Sequence, residues 1–288
     1  MQLDLFTHSR DVMLQNDVLV ALRARDATVG RKALSAFETE FPNHTNLAPL
    51  TILLDAPAAS VGRCADHADA AQRVEFIETV VTPAATWSFG GNEAGHWIAP
   101  LWRALAVSAA DLPFNIETAK SYSAFMLLQS GDWDAAEAKI ARIPSWRRIP
   151  SPLAWMAQVR LNQGGLEHAW PLLIELAWID ADTFGGLARR LPSPPLHKLL
   201  REFDGAFEDG DAPGLAWFPA WVLVNAPAIA AVMRDTLTCN GNAPERAARL
   251  VSELLALEIQ GRHADLVKGR KKLRGLHAEL YGIYMASR

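Results

Sequence analysis

The chain has 288 residues, of which 50% are hydrophobic and 21% are charged. This balance predicts a substantial buried core and excludes a chain that is disordered throughout. The formal net charge of −4 gives no global reason to expect nucleic acid as a direct specific ligand. The two cysteines, Cys64 and Cys239, lie far apart, which suits a reducing compartment better than a disulfide framework. With no secretory pattern at the start, we expect a cytoplasmic protein.

The first part of the chain predicts an extended segment followed by a helix pair. Residues 1–10 precede any strong helical pattern, so we assign them to an N-terminal extended segment. From Asp11 the apolar residues recur at helical spacing. A break at Arg25 and Asp26 then leads into a second helix that stops at Pro42.

Residues 45–115 are predicted to form an insertion of further helices. A short helix begins near Leu47 and ends ahead of Pro57, and a second covers 66–81. Residues 82–91 contain proline and glycine and are predicted to form a loop. A helical stretch capped by Asn92 then continues to about residue 110.

The middle of the chain contains an internal repeat. Residues 118–146 recur as 151–179, a shift of 33 positions. The matched pairs are Tyr122 with Trp155, Ala124 with Ala157, Leu128 with Leu161, Gly131 with Gly164, Ala136 with Ala169, Ile140 with Leu173, and Ile143 with Leu176. A period near 33 with helical spacing is typical of stacked helix–turn–helix units.

The C-terminal third also predicts helices. Residues 215–233 carry no charge and approach the length of a membrane span, but Pro219, Asn225 and Pro227 interrupt the run. We therefore predict two short buried helices and no membrane partner. Two long amphipathic helices, about 243–260 and 262–286, follow. Because no stretch shows sustained alternation of apolar and polar residues, the fold class is predicted to be all-α.

The run Gly131-Asp-Trp-Asp-Ala-Ala136 resembles the turn of tetratricopeptide repeats. The small residues Ala124 and Ala157 occupy positions where such repeats need close helix packing, and the likeness is best over 118–180. It is plausible over 11–44 and weak elsewhere, and Lys120 and Ser123 depart from the family pattern. The resemblance implies a right-handed superhelical array of antiparallel helix pairs, an α-solenoid.

The same resemblance implies a function. Repeats of this family form scaffolds that bind partners rather than catalyse, so we expect a non-enzymatic adaptor with an unknown protein partner and no cofactor. The polar residues with which some members clamp a peptide carboxylate are absent, so that activity is not inferred. Residues 11–288 are expected to form one elongated domain, although a boundary could fall near 181–195.

Two clusters could form partner-binding surfaces. The first is the loop segment Trp146, Arg147 and Arg148, in which we expect Trp146 to be exposed as part of a docking loop. Tryptophan and arginine together are favoured at interface hot spots. The second is a basic run in the last predicted helix. Its members are Lys268, Arg270, Lys271, Lys272 and Arg274. A solvated helix face is the favoured interpretation of this run, and contact with DNA phosphates or with an acidic partner is the alternative.

The segment Gln2-Leu3-Asp4-Leu5-Phe6 resembles the pentapeptide with which bacterial replication and repair proteins bind the sliding clamp. In that interpretation Leu5 and Phe6 fill an apolar pocket, and Gln2 donates a directional amide hydrogen bond. The alternative is that Leu3, Leu5 and Phe6 pack against the first helix pair. The resemblance implies a replication- or repair-associated accessory protein with a bacterial sliding clamp as partner.

No arrangement of residues predicts a catalytic, cofactor or metal site. Cys64 and His67 have metal-ligand spacing, as do Glu93 and His96, but neither pair has a companion pair at usable spacing. An enzyme with its site in the glycine-rich segment 90–96 is kept as a second alternative.

Overall fold

The protein is all-helical throughout the part that a computed structural model describes. That part comprises the backbone of residues 2–59, 62–207 and 214–288, with the side chains of all but 2–9 and 59. No strand occurs within these residues, so the predicted all-α class is confirmed. The helices are α1 Gln2–Ala24, α2 Ala27–Glu40, α3 Leu47–Ala59, α4 His67–Phe76, α5 Thr82–Phe89, α6 Gly91–Ser108, α7 Ser123–Gln129, α8 Trp133–Ile140, α9 Pro150–Ile179, α10 Ala181–Arg190, α11 Pro194–Gly205, α12 Phe218–Asn225, α13 Ala243–Ile259, α14 His263–Leu276 and α15 Ala278–Ala286.

The chain divides into two compact units, Met1–Lys139 and Ile140–Arg288. The sequence predicted a single domain over 11–288, with a boundary that could fall near 181–195. The division into compact units falls within the first copy of the internal repeat, close to the end of α8.

The first unit begins with an antiparallel pair, α1 and α2. Arg25 adopts a left-handed conformation (φ 54°), and the Asp26 carboxylate caps α2 by accepting the backbone N–H groups of Thr28 and Val29. The predicted helix pair is therefore present. However, α1 already begins at Gln2, so the backbone of residues 2–10 is helical rather than extended as predicted.

Residues 82–91 were predicted to form a loop, and this prediction is wrong. The helical path continues from α4 through a π-helical turn at Ile77–Val81 into α5, and it ends only at Gly90, where φ is 81°. The wider π turn lies directly ahead of Pro83, whose ring and missing N–H disrupt a regular helix. The prediction that α3 ends ahead of Pro57 is also wrong, because α3 continues through Pro57 to Ala59.

The repeat corresponds to two similar pairs of helical segments. In the first copy Gly131 (φ 75°) separates α7 from α8, and its N–H donates to the carbonyl of Leu128 while that of Asp132 donates to Leu127. This is the glycine termination expected at a helix C-terminus. In the second copy α9 is broken at Gly165 (φ 73°), one position later than the shift of 33 predicts. The matched alanines are all buried. They are Ala124, Ala136, Ala157 and Ala169.

In the second unit an aromatic cluster forms much of the core. Its rings belong to Trp170, Phe184, Phe203, Phe218 and Trp221. The apolar stretch forms α12 and a 3₁₀ segment, Pro227–Asp235, as two short elements. No helix in the described ranges has the length and apolar character that crossing a bilayer requires.

The last predicted helix is divided in two. Backbone at His277 is extended (φ −158°), and its imidazole accepts the N–H of Leu280, which caps α15. The sequence predicted one helix over 262–286. The cap at His277 instead separates α14 from α15.

Candidate partner-binding surfaces

The segment predicted as an exposed docking loop forms a 3₁₀ turn, Trp146–Arg148, that enters α9. Trp146 is half-buried rather than exposed, and Arg148 is exposed. Arg147 binds inside its own unit. Its Nε donates to Oε2 of Glu175 at 2.7 Å, and its Nη2 donates to Oε1 at 2.6 Å. This two-point geometry is the strongest form of an arginine–carboxylate pair.

Glu175 is fully buried on α9, where an unpaired carboxylate would be strongly unfavourable. Besides Arg147, its Oε1 accepts the backbone N–H of Leu237 at 2.6 Å. Arg147 Nη2 also donates to the carbonyl of Asp235 at 2.7 Å. The Arg147–Glu175 pair therefore holds Asp235 and Leu237, at the end of the 3₁₀ segment, in place. Arg147 thus has a structural role.

A second buried carboxylate fixes the next residues. Glu245, in the first turn of α13, accepts the backbone N–H groups of Cys239, Asn240 and Gly241 at 2.8–3.1 Å. It also pairs with Arg249 at 3.0 Å. Burial disfavours the ionised form, but the backbone donors and Arg249 outweigh it and hold the pKa of Glu245 below its ordinary value.

Cys239 lies between these two carboxylates. Burial, followed by the negative charges of Glu175 and Glu245, raises the pKa of its thiol to about 11. The thiol is therefore protonated at neutral pH and is a poor nucleophile. The carbonyl of Cys239 also accepts a hydrogen bond from Nη1 of Arg148 at 3.3 Å, so both arginines of the predicted docking loop bind this segment.

The predicted basic run of α14 divides into an inner and an outer part. Arg270 turns inward, where its Nη2 is 3.4 Å from Oε1 of Glu258 and its guanidinium lies over the ring of Tyr284. The remaining cations are exposed, and we call them the basic face. They are Lys268, Lys271, Lys272 and Arg274.

Only one of the four cations of the basic face has a carboxylate within 4.0 Å among the described residues. Lys268 lies 4.0 Å from Asp265, the only carboxylate of α14. Within the described residues the other three cations have no ion-pair partner. Gly269 lets α14 approach α13 closely, because a Cβ there would lie 2.6 Å from Leu254 Cδ2. The inner side of α14 thus packs on α13 and leaves the cations in solvent.

The other sequence candidates do not assemble into a site. The side chains of Gln2, Leu3, Leu5 and Phe6 lie outside the described residues. Arg23 binds Glu93 with an Nε–Oε1 distance of 2.5 Å, and Nδ1 of His67 lies 2.8 Å from the buried Ser121 hydroxyl. No group of three or more potential metal ligands occurs among the described residues, so His67, Glu93 and His96 do not form a metal centre there.

Sequence reasoning missed a groove between α1 and α2 with a volume of about 470 Å³. Its lining residues are mostly small or apolar. They are Asp17, Val20, Ala21, Ala24, Asp26, Val29, Lys32, Ala33 and Ala36. Val20 is 61% exposed and Val29 is 52% exposed. Met13 and Val20, seven residues apart, share one side of α1, but this spacing does not distinguish an exposed apolar side from a buried one.

These surfaces belong to an all-helical protein made of two compact units. No protein-family model, no curated protein and no solved structure matches the chain.

Proposed function

We propose that the protein is a non-enzymatic helical scaffold that binds an acidic segment of a protein partner through the basic face of α14. The observation that carries the proposal is the exposure of four cations on a helix with one carboxylate, in a chain whose net charge is −4. A concentrated positive surface on an acidic protein attracts and orients a negatively charged partner. The tetratricopeptide-like superhelix belongs to the same proposal, supported by the glycine-separated helix pairs and their buried alanines.

An acidic polypeptide fits this face better than nucleic acid does. Three of the four cations are lysines, which act as point charges and lack the planar fork with which arginine reads a guanine edge. Val267, which is 67% exposed on the same helix, offers an apolar contact suited to an amphipathic segment. Apart from His263, its first residue, α14 carries no aromatic side chain for bases to stack on.

The test compares wild-type protein with the double charge reversal Lys271→Glu/Lys272→Glu. The probe is a labelled helical peptide with glutamates along one face, measured by fluorescence anisotropy at low and raised salt. Wild type should bind it with an affinity that falls as salt increases, and the reversal should weaken binding at least about tenfold.

A matched control uses two adjacent exposed arginines of the same unit. Arg189→Glu/Arg190→Glu on α10 makes the same change in net charge away from the basic face. The control should bind the peptide within about twofold of wild type, because both variants have the same net charge and only the Lys271/Lys272 reversal removes charges of the basic face. Equal losses in both variants, or tighter binding to duplex DNA than to the peptide, would contradict the proposal.

A second candidate is docking on a bacterial sliding clamp through residues 2–6. What supports it is the five-residue match, together with the position of these residues ahead of Arg10, which pairs with Glu40 at the end of α2. Because Arg10 of α1 lies beside the last residue of α2, the first turns of α1 extend beyond the end of α2. The terminal turns of a helix unwind at little cost, which would allow an extended bound form.

The clamp candidate is tested by titrating a labelled peptide of residues 1–10, and then the full protein, against a purified bacterial sliding clamp. Both should bind, and Leu5→Ala/Phe6→Ala should abolish binding because it empties the apolar pocket. Arg10→Ala serves as the control that alters α1 outside the motif. Failure of the full protein to bind, or binding that survives the double substitution, would exclude this role.

A further inference from the structure

The first unit exposes an unusual concentration of large apolar side chains. Among the described residues, four of the eleven exposed large apolar side chains belong to α1 and α2. They are Val12, Met13, Val20 and Val29. Of these, Val20 and Val29 line the same groove. Contiguous exposed apolar surface on a folded protein usually marks a contact site, whereas isolated exposed residues do not.

The shape of this surface suits helices. Val20 and Val29 flank the groove between α1 and α2, and alanines form most of the rest of its lining. Small side chains allow another helix to approach closely, and antiparallel helix pairs bury such stripes by packing into four-helix bundles. The opposite sides of α1 and α2 are already occupied, since Val18, Leu22 and Phe37 are buried in the core of the unit.

The charges of the groove indicate which helices cover it. Asp17 and Lys32 both line it, and within the described part of the chain neither lies within 4.0 Å of an opposite charge, although the charges of Asp17 and Arg10 attract at longer range. A two-fold axis that runs along the groove would place α1 of one copy over α2 of the other. Asp17 of each copy would then face Lys32 of the other, so that both pairs form at once. The groove is thus complementary in charge to itself.

We propose that two copies of the protein associate through this groove, with α1 and α2 of each copy forming a four-helix bundle. The contact buries Val20 and Val29 of both copies and pairs Asp17 with Lys32 across the two-fold axis. This surface is separate from the basic face of α14, so dimerisation and partner binding can be tested independently.

Sedimentation equilibrium over a range of protein concentrations tests the association. Wild type should be a dimer, and Val20→Asp/Val29→Asp should be a monomer at concentrations where wild type is fully dimeric. The control Val107→Asp/Ile116→Asp changes two exposed apolar residues of the same unit outside the groove and should remain dimeric. Far-ultraviolet circular dichroism checks that each variant keeps its helices, which is expected because all four positions are exposed.

Charge exchange tests the two-fold pairing. Asp17→Lys alone and Lys32→Asp alone should each weaken the dimer, because each places like charges opposite one another in both pairs. Mixing these two variants should restore association as a heterodimer, and the double variant D17K/K32D should dimerise by itself.

The outcomes separate the parts of the inference. A wild-type monomer at all concentrations, or a dimer that V20D/V29D leaves intact, overturns the proposal. A dimer that V20D/V29D disrupts while the charge variants behave like wild type overturns the Asp17–Lys32 pairing. A monomer whose groove instead binds the glutamate-bearing helical peptide overturns the second copy as the occupant.

Discussion

The second unit contains two cationic segments, of which one is paired within the unit and the other is exposed to solvent. Arg147, in the turn before α9, is satisfied by the fully buried Glu175 of its own chain, whereas the basic face of α14 projects into solvent. Both segments stand out in the sequence as runs of basic residues. The difference shows that the role of such a run depends on where the matching carboxylates lie. In the part of the chain that the structure describes, three of the four cations of the basic face form no ion pair.

The largest effect in this comparison is expected at Glu175. Glu175→Gln removes the charge opposite Arg147 and weakens the hydrogen bonds to the guanidinium and to Leu237 N–H. We expect the free energy of unfolding to fall by about 3 kcal/mol, because breaking a buried ion pair leaves its partner uncompensated. Urea unfolding followed by tryptophan fluorescence measures it.

The exposed Glu253 of α13 provides the matched control. Glu253→Gln should change the free energy of unfolding by less than about 0.5 kcal/mol, as is usual for surface substitutions. Similar values for the two variants would mean that the Arg147–Glu175 pair does not hold the unit together.

A somewhat smaller effect is expected at Glu245, and it should depend on pH. Glu245→Gln should cost about 2 kcal/mol at neutral pH, because three backbone donors and Arg249 lose a charged acceptor. The pKa of Glu245 is lower in the folded than in the unfolded protein. Its contribution is therefore complete at neutral pH, begins to decline near the ordinary glutamate pKa of about 4.3, and is lost below the folded-state pKa.

Unfolding curves at a series of acidic pH values test this dependence. The stability difference between wild type and Glu245→Gln should shrink as the pH falls. A difference that stays constant down to the lowest pH at which the protein folds would contradict a depressed pKa.

A smaller, local effect is expected at Cys239. Because its thiol pKa is about 11, alkylation by iodoacetamide at neutral pH should be much slower in the folded protein than in urea. Mass spectrometry of the labelled peptide gives both rates. Equal rates would indicate that the segment around Cys239 is neither buried nor held between the two glutamates.

Local patterns in the sequence were sufficient to predict the helical class, the α1–α2 pair and the repeat. The turn at Gly131 is determined by neighbouring residues, so it could be recognised without a structure. The fate of Arg147 could not, because its partner Glu175 is distant in sequence and was hidden in an apolar stretch of α9. The loop predicted at 82–91 failed for a related reason, since the effect of Pro83 depends on a π turn that residue preferences do not reveal.

The candidate surfaces were predictable to different degrees. The cations of α14 were visible in the sequence, but only the packing of Gly269 and Arg270 against α13 and α15 determines which of them remain exposed. The groove between α1 and α2 was missed because exposure of Val20 and Val29 is a tertiary property. A buried helix side and an exposed apolar side look alike in sequence.

The central claim is that the basic face of α14 is available for a partner. Its most direct test compares Lys271→Glu/Lys272→Glu with wild type, both in urea unfolding and in binding to the glutamate-bearing helical peptide. We predict an unchanged free energy of unfolding, within about 0.5 kcal/mol, and binding weakened at least about tenfold. A destabilised protein, or one that binds the peptide as wild type does, would contradict the claim.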